Sequence, residues 1–525
     1  MVFEKKMNKS LAKTQRPQRK PSAVFLCALC VFARKFLLPS FLLVALAGCR
    51  VGPNYMPPSA PAPPAFKEQP PQGWKESQPS DGALKGNWWE IYKDPELNAL
   101  EEHVAISNQN VLQAEAAYQQ ARAAVQVSRA ALFPTAGATP GITASANGGT
   151  SSGNSSLPIT STGTGAFIGG TNGVRTTFNL PFSASWAPDF WGNIRRGVTA
   201  AVANAQSAAA EIENAKLLYQ AELAQNYFGI RGIDVQTSLL TRTQLSYREY
   251  LQLTENRFAG GIASELDIAQ AETQLFGVES QLIELGVQRA AYEHAIAILI
   301  GKPPAEVTIP TEGVLAPPPE VPVGVPSALL ERRPDIASSE RRVAAANEQI
   351  GIAMAAFYPT ITLSGSVGLA NSNLLSLFTW PSRFWSVGSS LAETLFDAGR
   401  RRAVVGEQRA AYDETVGAYR QTVLTAFQQV EDNLSALRIL QEESAKVQET
   451  VRAAQRTLEL STAEYRAGTA NYLTVITSQA ALLNAQVTAS NVLTRRLTAS
   501  VGLIQALGGG WNSNQLPTRQ AVAAR

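Results

Sequence analysis

The pentapeptide Ala131-Leu132-Phe133-Pro134-Thr135 returns in the second half of the chain as Ala356-Phe357-Tyr358-Pro359-Thr360, an offset of 225 in the numbering. Three further matches share an offset of 207: Gly192-Asn193-Ile194-Arg195-Arg196 with Gly399-Arg400-Arg401-Arg402, Phe258-Ala259-Gly260-Gly261 with Tyr465-Arg466-Ala467-Gly468, and Leu299-Ile300-Gly301 with Ala506-Leu507-Gly508. A constant offset over so long a stretch indicates an internal duplication. The two offsets differ by 18, which places one insertion in the first copy.

Both copies contain segments in which apolar and polar residues alternate, as in a β-strand with one apolar face. The apolar positions are Phe178, Leu180, Phe182, Ala184 and Trp186 in the first copy, and Ile361, Leu363, Val367 and Leu369 in the second. Weaker strands are predicted around Phe133 to Ser145 and Arg383 to Glu393. Between the first pair, Asn147 to Gly173 is dominated by Gly, Ser, Thr and Asn, which predicts a mobile loop.

Each copy continues with a long helix, a Gly-containing turn and a returning helix. The long helices are predicted from Gly192 to Phe258 and from Gly399 to Tyr465. A helix of roughly 65 residues extends on the order of 100 Å, which is longer than globular helices and favours a coiled-coil-like wall. A further helix is predicted from Asp94-Pro95 to about Leu132, because Asp can cap a helix and Pro fits its first turn.

Strands of this kind expose an apolar face, and in lipid every unpaired backbone N–H or C=O costs several kcal/mol. The sheet must therefore close. Two strands per copy give four per chain, whereas membrane barrels start at about eight strands, so closure requires several chains. We expect an α+β membrane protein whose polar strand faces line a wet lumen, which the long helices continue.

The N-terminus has the pattern of a secretory signal, a basic segment followed by the apolar run Phe36 to Gly48. The signal ends in Leu46-Ala47-Gly48-Cys49, which resembles the lipobox of bacterial lipoproteins and implies cleavage before Cys49 and lipid on its thiol. A retained anchor helix is the alternative, and it is disfavoured because the run is short and contains Pro39. The segment is long for a signal, so Met7 is an alternative start.

The segment 1–48 holds nine of the 45 Lys and Arg side chains and one of the 42 Asp and Glu side chains. The remainder is therefore slightly acidic, with 36 basic and 41 acidic side chains, and has no basic cluster that indicates nucleic-acid binding. Cys27 and Cys30 lie inside the signal, so Cys49 is the only cysteine of the remainder. A single cysteine excludes a disulfide framework and a Cys-based metal site. The Pro-rich stretch Pro53 to Pro79 is predicted to be an extended tether.

The order of elements resembles the outer-membrane factor family of TolC and OprM, and within it the lipid-anchored subgroup of resistance-nodulation-division (RND) drug efflux pumps. The resemblance spans residues 49 to 510 and includes Trp88-Trp89-Glu90, Asp94-Pro95-Glu96-Leu97, Glu331-Arg332-Arg333-Pro334-Asp335-Ile336 and the two Gly turns. It implies a homotrimer with a twelve-strand β-barrel, continued by a twelve-helix periplasmic α-barrel. It also implies a lipid-anchored location in the outer membrane of a Gram-negative bacterium, and two protein partners, a periplasmic adaptor and an inner-membrane RND transporter.

On this basis the chain divides into six segments. These are a lipoprotein signal (1–48), a lipid tether with an N-terminal equatorial segment (49–93), the first repeat with its leading helix (94–301), a linker or equatorial segment (302–330), the second repeat with its leading helix (331–510) and a C-terminal tail (511–525).

The resemblance also implies functional residues at the two turns. Adaptor docking is expected at Gly260, Gly261, Ala467 and Gly468. For Gly261 and Gly468 the simplest alternative is a tight turn that needs positive φ, which is compatible with docking.

A periplasmic gate is expected just past these turns. Asp267 matches an acidic latch residue, Tyr465 its hydroxyl partner and Leu473 an apolar constriction residue. Thr474 and Thr477 stand where the family usually has a ring of aspartates, which puts cation selectivity in question. We hypothesise that an Asp267 to Tyr465 hydrogen bond helps to hold the tip shut. The alternative is that Asp267 only favours the dipole of the returning helix.

Five arginines follow the predicted strands at matching positions: Arg195, Arg196 and Arg400–Arg402. Because positive charge at a helix start opposes the helix dipole, we expect them to meet lipid phosphates at the inner rim of the barrel. The alternative is a solvated helix start.

Other classes of function have weaker support. The chain beyond the signal has only His103 and His294, no P-loop, and Gly163-Thr164-Gly165 lies in a low-complexity segment, so we expect no enzyme, no metal site and no cofactor beyond the lipid on Cys49. A duct for type I protein secretion shares the architecture and remains an alternative; the lipobox favours efflux by analogy. A lipid-tethered adhesive coiled coil would have no use for the alternating strands.

Overall fold

The computed structural model describes residues 50–69, 71, 86–145, 175–321 and 329–524. The predicted signal, Cys49 and the predicted loop Asn147 to Gly173 lie outside these residues. The helices are α1 (Pro95–Ser107), α2 (Gln109–Ala130), α3 (Asn193–Ala259), α4 (Glu265–Leu299), α5 (Leu329–Arg332), α6 (Pro334–Ala355), α7 (Arg400–Arg466), α8 (Tyr472–Ala506) and α9 (Arg519–Ala523). The strands are β1 (Thr135–Ala138), β2 (Gly141–Ser145), β3 (Arg175–Trp186), β4 (Thr360–Asn371) and β5 (Arg383–Ala392).

The sequence repeat is a repeat of structure. Helices α3 and α7 have 67 residues each, α4 and α8 have 35 each, and α2 and α6 have 22 each. The first residues of α3 and α7 differ by 207 in the numbering, as do those of α4 and α8. The first residues of α2 and α6 differ by 225. The predicted length of the long helices is therefore confirmed, and both offsets correspond to whole helices.

Both long helices begin directly after a glycine in the left-handed region, Gly192 at φ 82° and Gly399 at φ 88°. A β-carbon is disfavoured there, so glycine allows the chain to turn sharply from strand to helix. Asp189 and Asp397 accept hydrogen bonds from backbone N–H groups of the first turn, at 2.8 and 3.1 Å. These carboxylates supply the acceptors that a helix N-terminus lacks.

The leading helix of the first repeat is broken, whereas the sequence predicted one helix from Asp94-Pro95 to Leu132. Asn108 separates α1 from α2, and its side chain accepts hydrogen bonds from the backbone N–H of Asn110 and Val111 at 2.9 and 3.2 Å. Its amide group also donates to the carbonyl of Leu299 at 2.8 Å. Asparagine favours caps over helix interiors because it binds nearby backbone groups, and the contact with the end of α4 stabilises the break.

The strands form one antiparallel sheet in the order β1-β3-β4-β5, with β2 also paired to β3. Strands β1 and β2 lie end to end along β3, since Ala138 pairs with Phe182 and Gly141 with Asn179. The predicted strand around Phe133 to Ser145 therefore consists of β1 and β2, which together occupy one strand position of the sheet, here called a lane. The lane is interrupted at Pro140, which has no N–H to donate to the neighbouring strand. The sheet has four lanes, as predicted.

The alternation predicted for the strands is confirmed by the register. Phe182, Val367 and Trp385 lie side by side on one face of the sheet. On the opposite face Ser366 lies beside Ser386, and their hydroxyl groups are hydrogen bonded at 2.8 Å. One face of the sheet is thus apolar and the other polar.

The outer edges of the sheet have no partner strand among the described residues. Lane β1/β2 pairs only with β3, and β5 pairs only with β4. No helix of the described residues is both long and apolar enough to cross a membrane.

An arginine clasp holds the N-terminal segment against the helices below the sheet. Arg196 is fully buried, and it bonds to the Glu348 carboxylate at 2.8 Å and to the Val51 carbonyl at 2.6 Å. Arg50 binds the same carboxylate at 2.6 Å. A β-carbon at Gly351 would overlap the Arg196 guanidinium, so glycine makes room for it. The expectation that Arg196 meets lipid phosphates is wrong, because this side chain closes an internal ion pair.

The other four arginines of the predicted rim divide into two pairs. Arg195 and Arg401 form ion pairs with aspartates of the connections that precede their helices, at 3.2 and 2.7 Å. Arg400 and Arg402 are exposed at the start of α7.

The N-terminal segment follows the helices beyond the clasp. The sequence predicted an extended tether from Pro53 to Pro79, of which the structure describes the first part. The backbone N–H groups of Lys67 and Glu68 donate to the two carboxylate oxygens of Glu431 on α7, at 2.7 and 2.8 Å. The described part is therefore bound along the helices.

The largest apolar core lies where α1, α3, α6, α7 and α8 meet. Its fully buried members include Leu97, Tyr227, Ile336, Val423 and Ile504. This core packs the leading helices of both repeats against the long helices, at a level between the sheet and the turns.

Buried charges lie beside this core. Arg231 of α3, which is 2% exposed, forms ion pairs with Glu96 of α1 and with Asp234 at 3.4 Å. It also donates to the Pro310 carbonyl at 2.6 Å, while Asp234 binds Arg289 of α4 at 2.9 Å. These hydrogen bonds and ion pairs hold the segment after α4 against α1, α3 and α4.

We expect Glu348→Ala to loosen the N-terminal segment, because it leaves Arg196 buried without a carboxylate, a loss of about 3–5 kcal/mol for buried pairs. Hydrogen exchange of the Val51 amide, which donates to the Trp191 carbonyl at 3.2 Å, should accelerate. Glu459→Ala removes an exposed pair with Arg456 and should leave that amide unchanged. Equal exchange in the two variants would contradict the clasp.

Candidate functional site

The turn between α3 and α4 is closed by backbone hydrogen bonds around one glycine. Gly261, at φ 73°, donates to the Phe258 carbonyl at 2.9 Å, and Ile262 donates to the Arg257 carbonyl at 2.9 Å. This pair of bonds is the Schellman motif, which satisfies the last carbonyls of a helix and needs a left-handed residue. Gly260 precedes it in right-handed conformation at φ −81°.

The turn between α7 and α8 has the same geometry. Gly468, at φ 77°, donates to the Tyr465 carbonyl at 3.1 Å, and Thr469 donates to the Glu464 carbonyl at 3.0 Å. Ala467 occupies the right-handed position that Gly260 has in the first turn. All four residues predicted for docking are exposed, so both turns are accessible protrusions.

The two returning helices restart with matching caps of different charge. In the first repeat Ser264 and Asp267 form a capping box, in which the Asp267 carboxylate accepts from the Ser264 N–H and hydroxyl at 2.8 Å each. In the second repeat Asn471 caps α8 by accepting from the Thr474 N–H at 3.1 Å and from its hydroxyl at 2.8 Å. Asp267 and Thr474 are thus structural equivalents in the two copies.

The hypothesised Asp267 to Tyr465 hydrogen bond is not formed within the chain. The carboxylate of Asp267 is held by Ser264, whereas Tyr465 is 6% exposed and its ring lies under the Arg257 guanidinium at 4.3 Å. The capping box competes for the carboxylate because the Ser264 groups are local and cost little ordering. Asp267 caps its own helix, and its place in the first turn of α4 is the one that the alternative interpretation assigned to it.

The three remaining gate residues lie together on the exposed first turns of α8. Leu473 is 48% exposed, and Thr474 and Thr477 are exposed beside it. The Thr477 hydroxyl donates to the Leu473 carbonyl at 3.0 Å. This surface presents one apolar side chain and two neutral hydroxyl groups, without a carboxylate.

Tyrosines fill the interior of the tip, and most of them were not predicted from the sequence. The ring centroid of Tyr472 lies 5.6 Å from that of Tyr465 and 5.9 Å from that of Tyr250. The Tyr472 hydroxyl is buried without a hydrogen-bond partner among the described residues. Burial raises the pKa of Tyr472, and the neighbouring tyrosines add to the rise. The sequence contained a signal for this contact, since Tyr465 and Tyr472 are seven residues apart on either side of the Gly turn. Residues so placed face each other in a helical hairpin.

The remaining predicted sites can be placed only in part. Cys49 lies outside the described residues, and the residue that follows it in the sequence, Arg50, belongs to the clasp. His103 and His294 are exposed on α1 and α4. In the part of the chain that the structure describes, no three His, Cys, Asp or Glu side chains are grouped to hold a metal ion.

We expect Gly261→Ala to destabilise the tip by about 1–2 kcal/mol, the cost of a left-handed residue with a β-carbon. No atom lies within 4 Å of the added carbon, so the effect is conformational. Gly260→Ala is the matched control and should be neutral, since alanine already occupies the equivalent position 467. Hydrogen exchange of the Ile262 amide measures the difference, and equal exchange in both variants would exclude a conformational requirement at Gly261.

Comparison with known proteins agrees with this geometry. The chain matches the outer membrane efflux protein family over residues 102–302 and 325–509. It is 31% identical over 450 residues to the pyoverdine export outer membrane protein OpmQ of Pseudomonas aeruginosa, covering 85% of this chain and 91% of that protein. It is 28% identical over 469 residues to the toluene efflux pump outer membrane protein TtgC of Pseudomonas putida, covering 89% and 93%.

Among solved structures, the fold is similar to the outer-membrane channel OprN, with a TM-score of 0.78 at 26% identity over 88% of this chain and 100% of the other. The resemblance predicted from the sequence is confirmed. Because the family match spans both copies of the repeat, the chain belongs to the outer membrane efflux protein family.

Proposed function

We propose that this chain forms the outer-membrane duct of a tripartite, RND-type efflux system, through which small molecules pass from the periplasm to the outside. The observation that carries the proposal is the duplicated unit, in which strands with one apolar and one polar face lead into 67-residue helices. Such helices extend about 100 Å, enough to continue a lumen far beyond the membrane. Relatives named for pyoverdine export and toluene efflux favour small-molecule cargo over protein secretion.

Three copies close the duct as a homotrimer. Four sheet lanes in each chain, with both outer edges lacking a partner among the described residues, support a barrel of twelve strands. Four helices lie at each level, α2, α3, α6 and α7 near the sheet and α3, α4, α7 and α8 towards the turns, which supports a wall of twelve helices.

Exposed apolar side chains on α4 support the same assembly. Phe276, Ile283 and Val287 are 60%, 74% and 63% exposed, and their spacing of seven and four residues puts them on one helix face. This face is suited to packing against the helices of a neighbouring copy.

The turns at the far end form the periplasmic gate and the docking site for a periplasmic adaptor, which connects the duct to an inner-membrane transporter. Leu473 is the constriction residue, and Thr474 and Thr477 line the tip beside it. Asp267 contributes its charge at the tip while capping α4. The exposed Schellman turns support docking because they present rigid backbone and small side chains.

A lipid on Cys49 anchors the chain to the outer membrane. The support comes from Arg50, which packs against Gly192 at the joint between β3 and α3 and binds Glu348. Arg50 therefore lies near the end of the sheet, and we propose that a lipid on the preceding residue of the sequence enters the membrane at this level.

Deletion of the gene should increase susceptibility to small lipophilic toxicants and leave protein secretion unchanged. Both assays should be run side by side, with complementation by the wild-type gene as the control. Loss of protein secretion with unchanged drug susceptibility would favour the secretion duct instead. In planar bilayers the purified protein should form conducting channels, whereas an adhesive coiled coil would not conduct.

We expect Thr474→Asp/Thr477→Asp to increase cation selectivity on the order of a few-fold, because carboxylate rings select cations in pores. Thr474→Asn/Thr477→Asn has similar side-chain size without the charge and is the matched control. Reversal potentials in a KCl gradient measure the effect. Identical reversal potentials for the two variants would show that these positions do not line the conducting path.

A further inference from the structure

A groove of about 380 Å³ lies between the end of α6 and the start of α7. Met354, Phe357 and Tyr358 form its apolar wall at the end of α6, and α7 forms the opposite side, where Val405 lies between the rim residues Arg402 and Arg409. Tyr358 stacks on Trp191 at 4.8 Å, and the Arg401 guanidinium lies 5.2 Å from the centre of the Phe357 ring. The wall is therefore built by fixed aromatic side chains.

The two guanidinium groups of the rim are available to a ligand. Both side chains are exposed, and neither forms a hydrogen bond or ion pair within the described residues. Seven residues separate Arg402 from Arg409, about two helical turns or roughly 10 Å along the axis. Arg402 lies in the first turn of α7, where the helix dipole disfavours positive charge, so this arginine does not serve the stability of the helix.

The groove lies on the face of α7 that carries the N-terminal segment. Arg420 donates to the Ser59 carbonyl of that segment at 3.3 Å. Arg402 and Arg409 precede Arg420 by about five and three whole helical turns, so the three side chains point the same way.

The groove also lies at the end of the sheet. Strand β4 begins at Thr360, directly after the aromatic wall, and β5 ends at Ala392, eight residues before α7. The intervening Leu395 and Phe396 are 92% and 86% exposed. Apolar and basic groups thus occur together at the boundary between strands and helices.

We infer that this groove binds an anionic phospholipid of the inner leaflet, with its phosphate between Arg402 and Arg409 and its acyl chain along Met354 and Phe357. The inference rests on the proposed function, because it takes the sheet as the membrane-spanning part. Charge complementarity supports it, since guanidinium groups bind phosphate oxygens. The exposed apolar side chains of Leu395 and Phe396, between β5 and α7, support it as well.

Two other occupants fit less well. Acyl chains attached to Cys49 would fill an apolar groove but would leave both arginines without an anion. A second copy of the chain has acidic side chains at this level, such as the exposed Glu407, but it would have to bring a carboxylate and an apolar side chain into the groove together. The phospholipid satisfies both halves of the groove with one molecule.

The test uses the full-length protein in detergent, stripped of lipid and mixed with phosphatidylglycerol or phosphatidylcholine at equal concentration. Native mass spectrometry counts the retained lipids. We expect the protein to retain phosphatidylglycerol in preference to phosphatidylcholine. In Arg402→Gln/Arg409→Gln the retention of phosphatidylglycerol should be roughly 10- to 30-fold weaker, because each substitution removes the attraction of one basic residue for the anionic lipid. Arg402→Lys/Arg409→Lys should keep most of it.

Arg452→Gln/Arg456→Gln is the matched control, because it removes the same charge from an exposed part of α7 farther from the sheet. Equal retention in the wild type and the Arg402→Gln/Arg409→Gln variant, or an equal loss in the control, would overturn the inference. Dissociation of the assembly by this variant in lipid-free detergent would assign the arginines to an interface between copies and also overturn it. If the protein conducts in planar bilayers but retains both lipids equally, the lipid site is refuted and the proposed function is not. If it prefers phosphatidylglycerol but does not conduct, the proposed function is refuted and the lipid site is not.

Discussion

A backbone N–H or C=O group in hydrocarbon needs a hydrogen-bond partner, because leaving it unpaired costs several kcal/mol. Among the described residues, the outer edges of lane β1/β2 and of β5 present whole rows of such groups. The sheet also has one apolar face and one polar face. If the apolar face meets lipid, the edges must pair with other copies, and the polar faces then enclose water. The helices that continue the strands become the wall of a duct, so the proposed assembly follows from this single constraint.

The two repeats share backbone geometry and differ in the side chains at their tips. Gly261 and Gly468 close the same turn with the same two hydrogen bonds. At the next equivalent position the first repeat has Asp267 and the second has Thr474, and both take part in a helix cap. Because the backbone sets the shape and the cap accepts either residue, the charge at the tip can change without a change of fold. The absence of carboxylates at Thr474 and Thr477 is therefore compatible with the proposed duct.

The sequence was sufficient for features that depend on periodicity and on glycine. Helix lengths, the two turns and the polar and apolar strand faces were predicted because each reflects a local pattern over many residues. Contacts between distant segments were not predictable in this way. Arg196 looked like a rim residue until the fold placed Glu348 and Val51 beside it. Asp267 looked like a latch because the resemblance supplied a partner, whereas the local Ser264 cap claims its carboxylate. Positions defined by tertiary contacts carry no periodic signal.

The pairing of the two sheet edges can be tested directly by cryo-electron microscopy of the full-length protein in lipid nanodiscs. We expect a threefold-symmetric assembly in which the backbone of β5 in one copy is hydrogen bonded to lane β1/β2 of the next, so that no strand edge faces lipid. A single chain, or a sheet whose β5 edge remains unpaired in the membrane, would contradict the proposed duct.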